Sequence, residues 1–385
     1  MNVLIIPDKF KGTLSARRAA EAIARGWLQS RPSDALTLLP MTDGGDGFGE
    51  VMGELFGAQQ REVLAQDAAH RPCTSHWWWE PKSKTALIDS ASVIGLAMLP
   101  PKQFHPFDLD TYGLGLVVKT AAESGAQRCL IGIGGSATND GGFGMASALG
   151  WRFLDEAGTL LERWTDLPNL SRLENPGPQK LFSACSVALD VQNPLLGPRG
   201  ASRIYGPQKG LSENDFATAE RCLESLAGVT REKCGKDYAQ VPGAGAAGGL
   251  GFGCLAFLSA DLEQGFDLFA SLADLEVRLK STDLVVTGEG AIDSSTLMGK
   301  GVGRIGQRCG ELGIPCMALG GQVNLKGAVE SCFTSVAGLT DVTSVENAKA
   351  KTDYWLERLA RLTAASTAFG PGSTCNLGRH HLPSN

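Results

Sequence analysis

Histidine is scarce in this chain. Only five occur, and three of them, His105, His380 and His381, stand beside prolines or in the C-terminal stretch rather than in a motif. A zinc site or a Ser-His-Asp hydrolase needs histidine in a defined constellation, so both chemistries are disfavoured. The ten cysteines include no Cys-x-x-Cys pair and no Cys/His cluster; on apolar segments such as Cys129-Leu130-Ile131 they read as small buried hydrophobes. No apolar run approaches the roughly 20 residues that span a bilayer. The opening Met1-Asn2-Val3-Leu4-Ile5-Ile6 lacks a basic segment and reaches Pro7 and Asp8 too soon for a signal peptide, so a cytoplasmic chain without a membrane partner is expected. Basic residues are not in excess: 35 Lys and Arg against 41 Asp and Glu give a formal charge of −6, which argues against nucleic acid as a partner. Asp, Glu, Lys and backbone amides are left to carry the chemistry.

Glycine is what the sequence has in plenty, 49 of 385 residues. It gathers in islands: Asp43-Gly44-Gly45-Asp46-Gly47, Gly132 to Gly144, Pro242 to Gly253, and Gly288-Glu289-Gly290 followed by Gly299-Lys300-Gly301. Glycine admits close backbone approach and positive φ, so islands beside short apolar runs point to ligand-binding loops at strand ends.

A chain of this length exceeds one hydrophobic core, and two domains are expected. Val3–Ile6 predicts a buried strand, Ser15 caps a helix through Ala24, Leu36–Leu39 is a second strand and Phe48–Phe56 a helix. The alternation resumes with strands at 283–288, 315–319 and 334–339 and helices at 301–311 and 352–368. Such alternation means a parallel α/β sheet. Between them, Trp77-Trp78-Trp79 and Ala86–Asp89 suggest antiparallel strands, with the tryptophans as packing. A helix at 113–124, a strand at 128–132 and a helix at 144–149 follow. The expected division is one α/β domain from both chain ends (1–61 plus 281–370), an inserted mixed α/β domain (62–280), and a loosely held tail (371–385).

Three groups of residues carry candidate chemistry. The loop Gly132-Ile133-Gly134-Gly135-Ser136-Ala137-Thr138-Asn139-Asp140-Gly141-Gly142 joins a strand to a helix, and its free N–H groups and hydroxyls form an anion cradle, with a ligand-free glycine turn as the alternative. It is too long and polar for a Rossmann fingerprint, which disfavours a nicotinamide-dependent dehydrogenase; no Walker A sequence occurs either. Asp8-Lys9-Phe10-Lys11-Gly12-Thr13-Leu14-Ser15 follows the first strand, where two lysines and a helix N-terminus would attract a carboxylate or phosphate; a solvated, capped loop is the alternative. The carboxylates Asp43, Asp46, Asp190, Glu289 and Asp293 are set among glycines near strand ends. Each alone reads equally as an Asx turn, but oxygen ligands without histidine suit Mg²⁺, and phosphoryl transfer asks for positioned charge and metal rather than a special nucleophile.

In collinear order, Pro7–Ala16, Asp43–Gly47, Ile131–Gly142, Asp190-Val191-Gln192-Asn193-Pro194-Leu195, Tyr205-Gly206-Pro207-Gln208-Lys209-Gly210, Pro242–Gly249 and Thr287-Gly288-Glu289-Gly290 with Ile292-Asp293-Ser294 resemble the bacterial glycerate kinase family of the glycerate 2-kinase type. The resemblance implies two α/β domains, one of them flavodoxin-like. It also implies ATP- and Mg²⁺-dependent phosphorylation of D-glycerate, on the 2-hydroxyl, in sugar-acid and glyoxylate catabolism. On it, Lys11, with Lys9, Asp8, Ser15 and Asp43 beside it, takes the substrate; Gly134, Gly135, Ser136, Thr138, Asn139 and Lys209 take ATP; and Asp190, Glu289 and Asp293 take the metal. Asp190, Asp293 and Lys11 are the catalytic candidates, with the two aspartates either binding Mg²⁺ or orienting the acceptor hydroxyl. Lys9 stands where the family commonly has Ser, Ala291 where Arg is usual, and Leu189 where Cys is frequent. Transfer to the 3-hydroxyl or to a related hydroxy acid, and a non-catalytic small-molecule binding protein, are the alternatives; a homo-oligomer is left open.

Overall fold

The computed structural model describes residues 1–175, 177, 180–297, 301–324 and 332–366. The Gly299-Lys300 pair and the tail 371–385 lie outside the described residues. Strand β1 (Asn2–Pro7), helix α1 (Ala16–Ser30) and β2 (Ala35–Leu38) open the chain, followed by α2 (Phe48–Phe56), β3 (Gln59–Gln66), β4 (Pro72–Glu80) and β5 (Thr85–Asp89). Next come α3 (Ala91–Ile94), α4 (Tyr112–Glu123), β6 (Arg128–Gly132), α5 (Phe143–Ala148) and the strands β7 (Arg152–Leu154) and β8 (Arg172–Glu174). Then follow β9 (Ala184–Leu189), α6 (Ala201–Lys209), α7 (Glu213–Cys234), α8 (Ala246–Leu258) and β10 (Asp261–Gln264). The remainder is α9 (Gly265–Leu272), α10 (Leu275–Lys280), β11 (Leu284–Ile292), α11 (Gly301–Leu312), β12 (Cys316–Val323), β13 (Ser335–Gly338), α12 (Val345–Ala350) and α13 (Thr352–Ser366). Among the described residues no helix is long and apolar enough to cross a membrane.

These elements form two compact units, one of Met1–Thr42 with the chain from Phe269 onward, the other of Asp43–Leu268. The first unit is a parallel sheet in the order β13-β12-β11-β1-β2. That is the flavodoxin-like doubly wound order, with the reversal between β1 and β11. Val3–Ile6 is apolar without alternation because both faces of a central parallel strand are covered. Ser15 caps α1, accepting from the Arg18 N–H. Against α1 lies α13, so near that the Cβ of any larger residue at Gly26 would collide with the Glu357 carbonyl. Arg25 pairs across this contact with Asp353 at 2.9 Å and Glu357 at 2.8 Å.

The second unit carries a mixed sheet in the order β10-β9-β6-β5-β4-β3, parallel from β5 to β10 and antiparallel from β3 to β5. The tryptophan run obeys the period of a strand. Trp77 and Trp79 are buried in the core with Val93, Leu114 and Val117, while Trp78 lies over Gly49 and Gly53 of α2. A second cluster joins Phe143, Phe153, Trp164, Leu223, Leu226 and Phe252.

The structure departs from the sequence expectation at the unit joints, in the length of β11 and β12, and in elements the sequence leaves unmarked, α7 among them. The units part after Thr42 and after Leu268, whereas the sequence placed the joints at 61/62 and 280/281; α2 packs on β4, β5 and β6, which draws Asp43–Phe56 into the second unit. Strands β11 and β12 run past 288 and 319, so Gly288-Glu289-Gly290 is strand rather than loop. Missing side chains let these strands close up: a Cβ at Gly288 would strike the Leu319 carbonyl. Helix α7 matches no element expected from the sequence, although Ser212 and Asp215 form a capping box at its start and Gly235 ends it in the left-handed region.

Candidate functional site

In the second unit the 134–139 loop and Asp190 stand at the carboxyl ends of β6 and β9, the edge where parallel sheets bind ligands, while Asp43 precedes α2 and Lys209 ends α6. After Gly132 the chain turns through Gly134 and Gly135. A Cβ at Gly134 would lie 2.6 Å from the Gly45 Cα, and Gly135, at φ +75°, would place one on the Asp46 carboxylate. The Gly134 N–H donates to the Gly44 carbonyl at 3.1 Å. Glycine is required here because two loops pass backbone to backbone, which brings Asp43–Gly47 and the Gly134 loop together.

From Ser136 to Asp140 the loop is buried. The Ser136 and Thr138 hydroxyls lie 2.9 Å apart, and the Thr138 N–H donates to Ser136 Oγ at 3.1 Å. Asn139 Nδ2 donates to Ser202 Oγ at 2.9 Å, while its buried Oδ1 has no partner. Lys209, 6% exposed, donates its Nζ to the Thr138 carbonyl at 2.6 Å. Burial pushes the Lys209 ammonium down to about 7, partly offset by Asp140. Asp140 accepts from Thr111 Oγ1 at 2.7 Å, Thr111 N at 3.0 Å and Gly144 N at 2.9 Å. Its pKa is raised, first by burial and then by Asp110, with those hydrogen bonds opposing.

Along the same edge, Asp89 ends β5 and accepts from the Gly47 N–H at 2.7 Å and the Ala91 N–H at 2.9 Å. The exposed Asp190 follows β9. Burial, with Asp190 adding to it, pushes the Tyr205 phenol up to about 12. Tyr205 donates to Asn193 Oδ1 at 2.6 Å, and Asn193 Nδ2 donates to the Arg199 carbonyl at 2.8 Å, so the segment after β9 is held in place.

The first unit holds the remaining candidates on either side of its order reversal, after β1 and along or just past β11. Asp8 N–H donates to the Gly288 carbonyl at 2.8 Å, and Asp8 Oδ1 accepts from Lys9 N–H at 2.7 Å. Lys11 is exposed, and the turn Phe10–Leu14 delivers the chain to Ser15 and α1. A Cβ at Gly290 would lie 3.0 Å from the Lys11 N, so β11 passes close beneath this turn. Glu289 is buried and accepts from Thr296 Oγ1 at 2.8 Å; Asp293 Oδ1 accepts from Ser295 N at 2.8 Å and Oγ at 2.6 Å.

A family model described as the glycerate kinase family matches residues 3–368. This chain belongs to the glycerate kinase family. It is 34% identical over 375 residues to a glycerate kinase of Bacillus subtilis (strain 168), covering 95% of this chain and 97% of that one. To the glycerate 2-kinase of Escherichia coli (strain K12) it is 38% identical over 303 residues, covering 78% and 80%. A crystal structure described as glycerate kinase 2 from Salmonella typhimurium LT2 superposes with a TM-score of 0.81 at 31% identity, covering 95% of this chain and 98% of that one.

A kinase family implies ATP as phosphate donor. The loop is not the row of free N–H groups that its sequence predicts, because the amides of Gly134, Ala137 and Thr138 donate within the protein to the Gly44 carbonyl, the Ile94 carbonyl and Ser136 Oγ. Among the described residues of this glycerate kinase family member, no group of three or more His, Cys, Asp or Glu side chains is gathered to hold a metal ion. Asp190 stands in the second unit, and Glu289 with Asp293 in the first. Magnesium does not require a protein cage, since one or two carboxylates suffice when phosphates supply further oxygens, so the donor chemistry fits. Two residues escaped the sequence reading. Asp89 closes an apolar strand and Asp190 directly follows one, the same local signal, which at Ala86–Asp89 reads from sequence as an antiparallel strand. Asp140 lay within the quoted loop, but its role as the acceptor for Thr111 and Gly144 depends on a partner 29 residues away.

Proposed function

We propose that the chain transfers a phosphoryl group from ATP to the 2-hydroxyl of D-glycerate, giving 2-phosphoglycerate, as a cytoplasmic step of organic-acid catabolism. The observation that carries this reading is the 38% identity to a glycerate 2-kinase over 303 residues, 78% of this chain. Gly134, Gly135, Ser136, Thr138 and Asn139 hold the nucleotide phosphates, with the Lys209 charge behind them. Lys11, assisted by Lys9, Asp8 and the Ser15 helix N-terminus, attracts the substrate carboxylate, with Asp43 as a further substrate contact. Asp190 in the second unit, and Glu289 and Asp293 in the first, are each candidates to give Mg²⁺ an oxygen, with Asp190 or Asp293 orienting the acceptor hydroxyl. When bound, Mg²⁺ neutralises charge on the transferring phosphoryl group.

The test is an assay with purified protein, ATP, Mg²⁺ and D-glycerate, coupled to enolase with no mutase present. Phosphoenolpyruvate formation is expected. A phosphoester that enolase consumes only after mutase is added would move the transfer to the 3-hydroxyl. No glycerate-dependent phosphoester from folded protein would point to another hydroxy acid or to a non-catalytic binding protein.

A further inference from the structure

Lys209 occupies an unusual place for a residue expected to touch phosphate. It ends α6, is 6% exposed, and spends its amine on a main-chain oxygen of the glycine loop, Thr138 O at 2.6 Å. The other end of α6 grips the same loop, since Ser202 Oγ accepts from Asn139 Nδ2 at 2.9 Å. Opposite stands Gly248, at φ +74°, where any Cβ would collide with the Thr138 carbonyl. The carbonyl is therefore fixed from two sides, by an amine and by a glycine.

We propose that Lys209 is a positioning residue: its buried amine acts on ATP through the Thr138 carbonyl, setting the glycine loop for the phosphates, and takes up a proton as they bind. This rests on the loop being the nucleotide site of a kinase. The charged groups around the amine are few. Asp140 acts on it directly, and Asp110 acts on Asp140. Glu220 of α7 accepts from the Gly197 N–H and feels Arg203, while α8 carries no Asp, Glu, Lys, Arg or His. Burial holds the amine near neutrality at about 7, against an ordinary 10.5. Slightly above that pH the amine is mostly neutral in the free protein. An arriving polyanion stabilises the charged form and draws one proton from solvent.

The experiment is calorimetric titration of the whole protein with Mg²⁺-ATP at about pH 8, in two buffers of different ionisation heat, since burial places the group's titration below that pH. Net uptake approaching one proton is expected, fading as the pH falls below about 7, where the amine is already charged. Lys209→Met should abolish the uptake and raise the KM for ATP about tenfold, with the KM for glycerate changed less than about twofold. Gly248→Ala removes no charge but displaces the Thr138 carbonyl, and should raise the KM for ATP similarly. Binding with no proton uptake by the unaltered protein overturns the inference alone. A normal KM for ATP in Gly248→Ala overturns the route through the Thr138 carbonyl. Absence of any ATP binding overturns the kinase reading together with it.

Discussion

Charge taken out of water is tolerated in this chain where several donors converge on it, and Asp34 is a clear instance. Its carboxylate, 4% exposed, accepts from the Trp27 indole at 3.0 Å, the Arg31 guanidinium at 2.7 Å and the Met1 ammonium at 3.1 Å. Burial raises its pKa, but the hydrogen bonds from Trp27, Arg31 and the N-terminus outweigh that and leave it below the ordinary 3.8. A depressed folded-state pKa contributes stability above the unfolded value, and that stability is lost as pH falls through the folded one. Asp34→Asn should therefore cost about 1–3 kcal/mol at neutral pH and flatten the loss of Tm below about pH 4. Calorimetry between neutral and acid pH checks this; an unchanged acid slope would mean that the charge at Asp34 contributes nothing. At this scale the sequence showed some residues and hid others. Ser15 as a cap and the glycine loop at 134–139 were legible, because caps and positive-φ turns are local. Asp140 and Asp34 were not, because a buried carboxylate is identified only by the donors that meet it.

Glycine inside a helix costs about 1 kcal/mol relative to alanine, so its presence in α2 needs a reason from packing. Gly49 and Gly53 lie under the Trp78 ring, and a Cβ at either would overlap it. Gly228 of α7 has nothing within 4 Å of such a Cβ. The two helices should respond with opposite sign. Gly228→Ala is expected to stabilise by up to about 1 kcal/mol. Gly49→Ala should destabilise by about 1–3 kcal/mol, with much of that loss relieved in a Trp78→Leu background. Urea titration of the four variants decides it, and a stabilising Gly49→Ala would show that α2 does not rest on Trp78. Elements with a clean period were readable: α2 has the bounds read from the sequence, as does β6. Helix α7 escaped because its buried positions, Ala219, Cys222, Leu223, Leu226 and Ala227, are diluted among charges and small residues.

The first unit is assembled from chain segments that are far apart in sequence. Val3 pairs with Leu284 and Ile6 with Thr287, so β1, although it pairs locally with β2, cannot join β11 until the whole second unit has been bridged. The second unit needs no such closure, since all of its strands lie between Asp43 and Leu268. That both chain ends share one sheet was visible in the repeated strand–helix alternation at each end. The order β13-β12-β11-β1-β2 was not, because parallel strands of continuous apolar residues carry no information about their neighbours. Closing a longer loop adds entropy only slowly, as about (3/2)RT ln n, but contacts of high sequence separation slow folding strongly. Refolding should accordingly proceed in two stages, with amides of β6 and β9 protected from exchange before those of β1 and β11. Pulse-labelled hydrogen exchange during refolding measures the order. Simultaneous protection of Leu130 and Val286 would mean that the units fold together. Earlier protection of Val286 would mean that the sheet of the first unit nucleates the molecule despite the distance its chain must close.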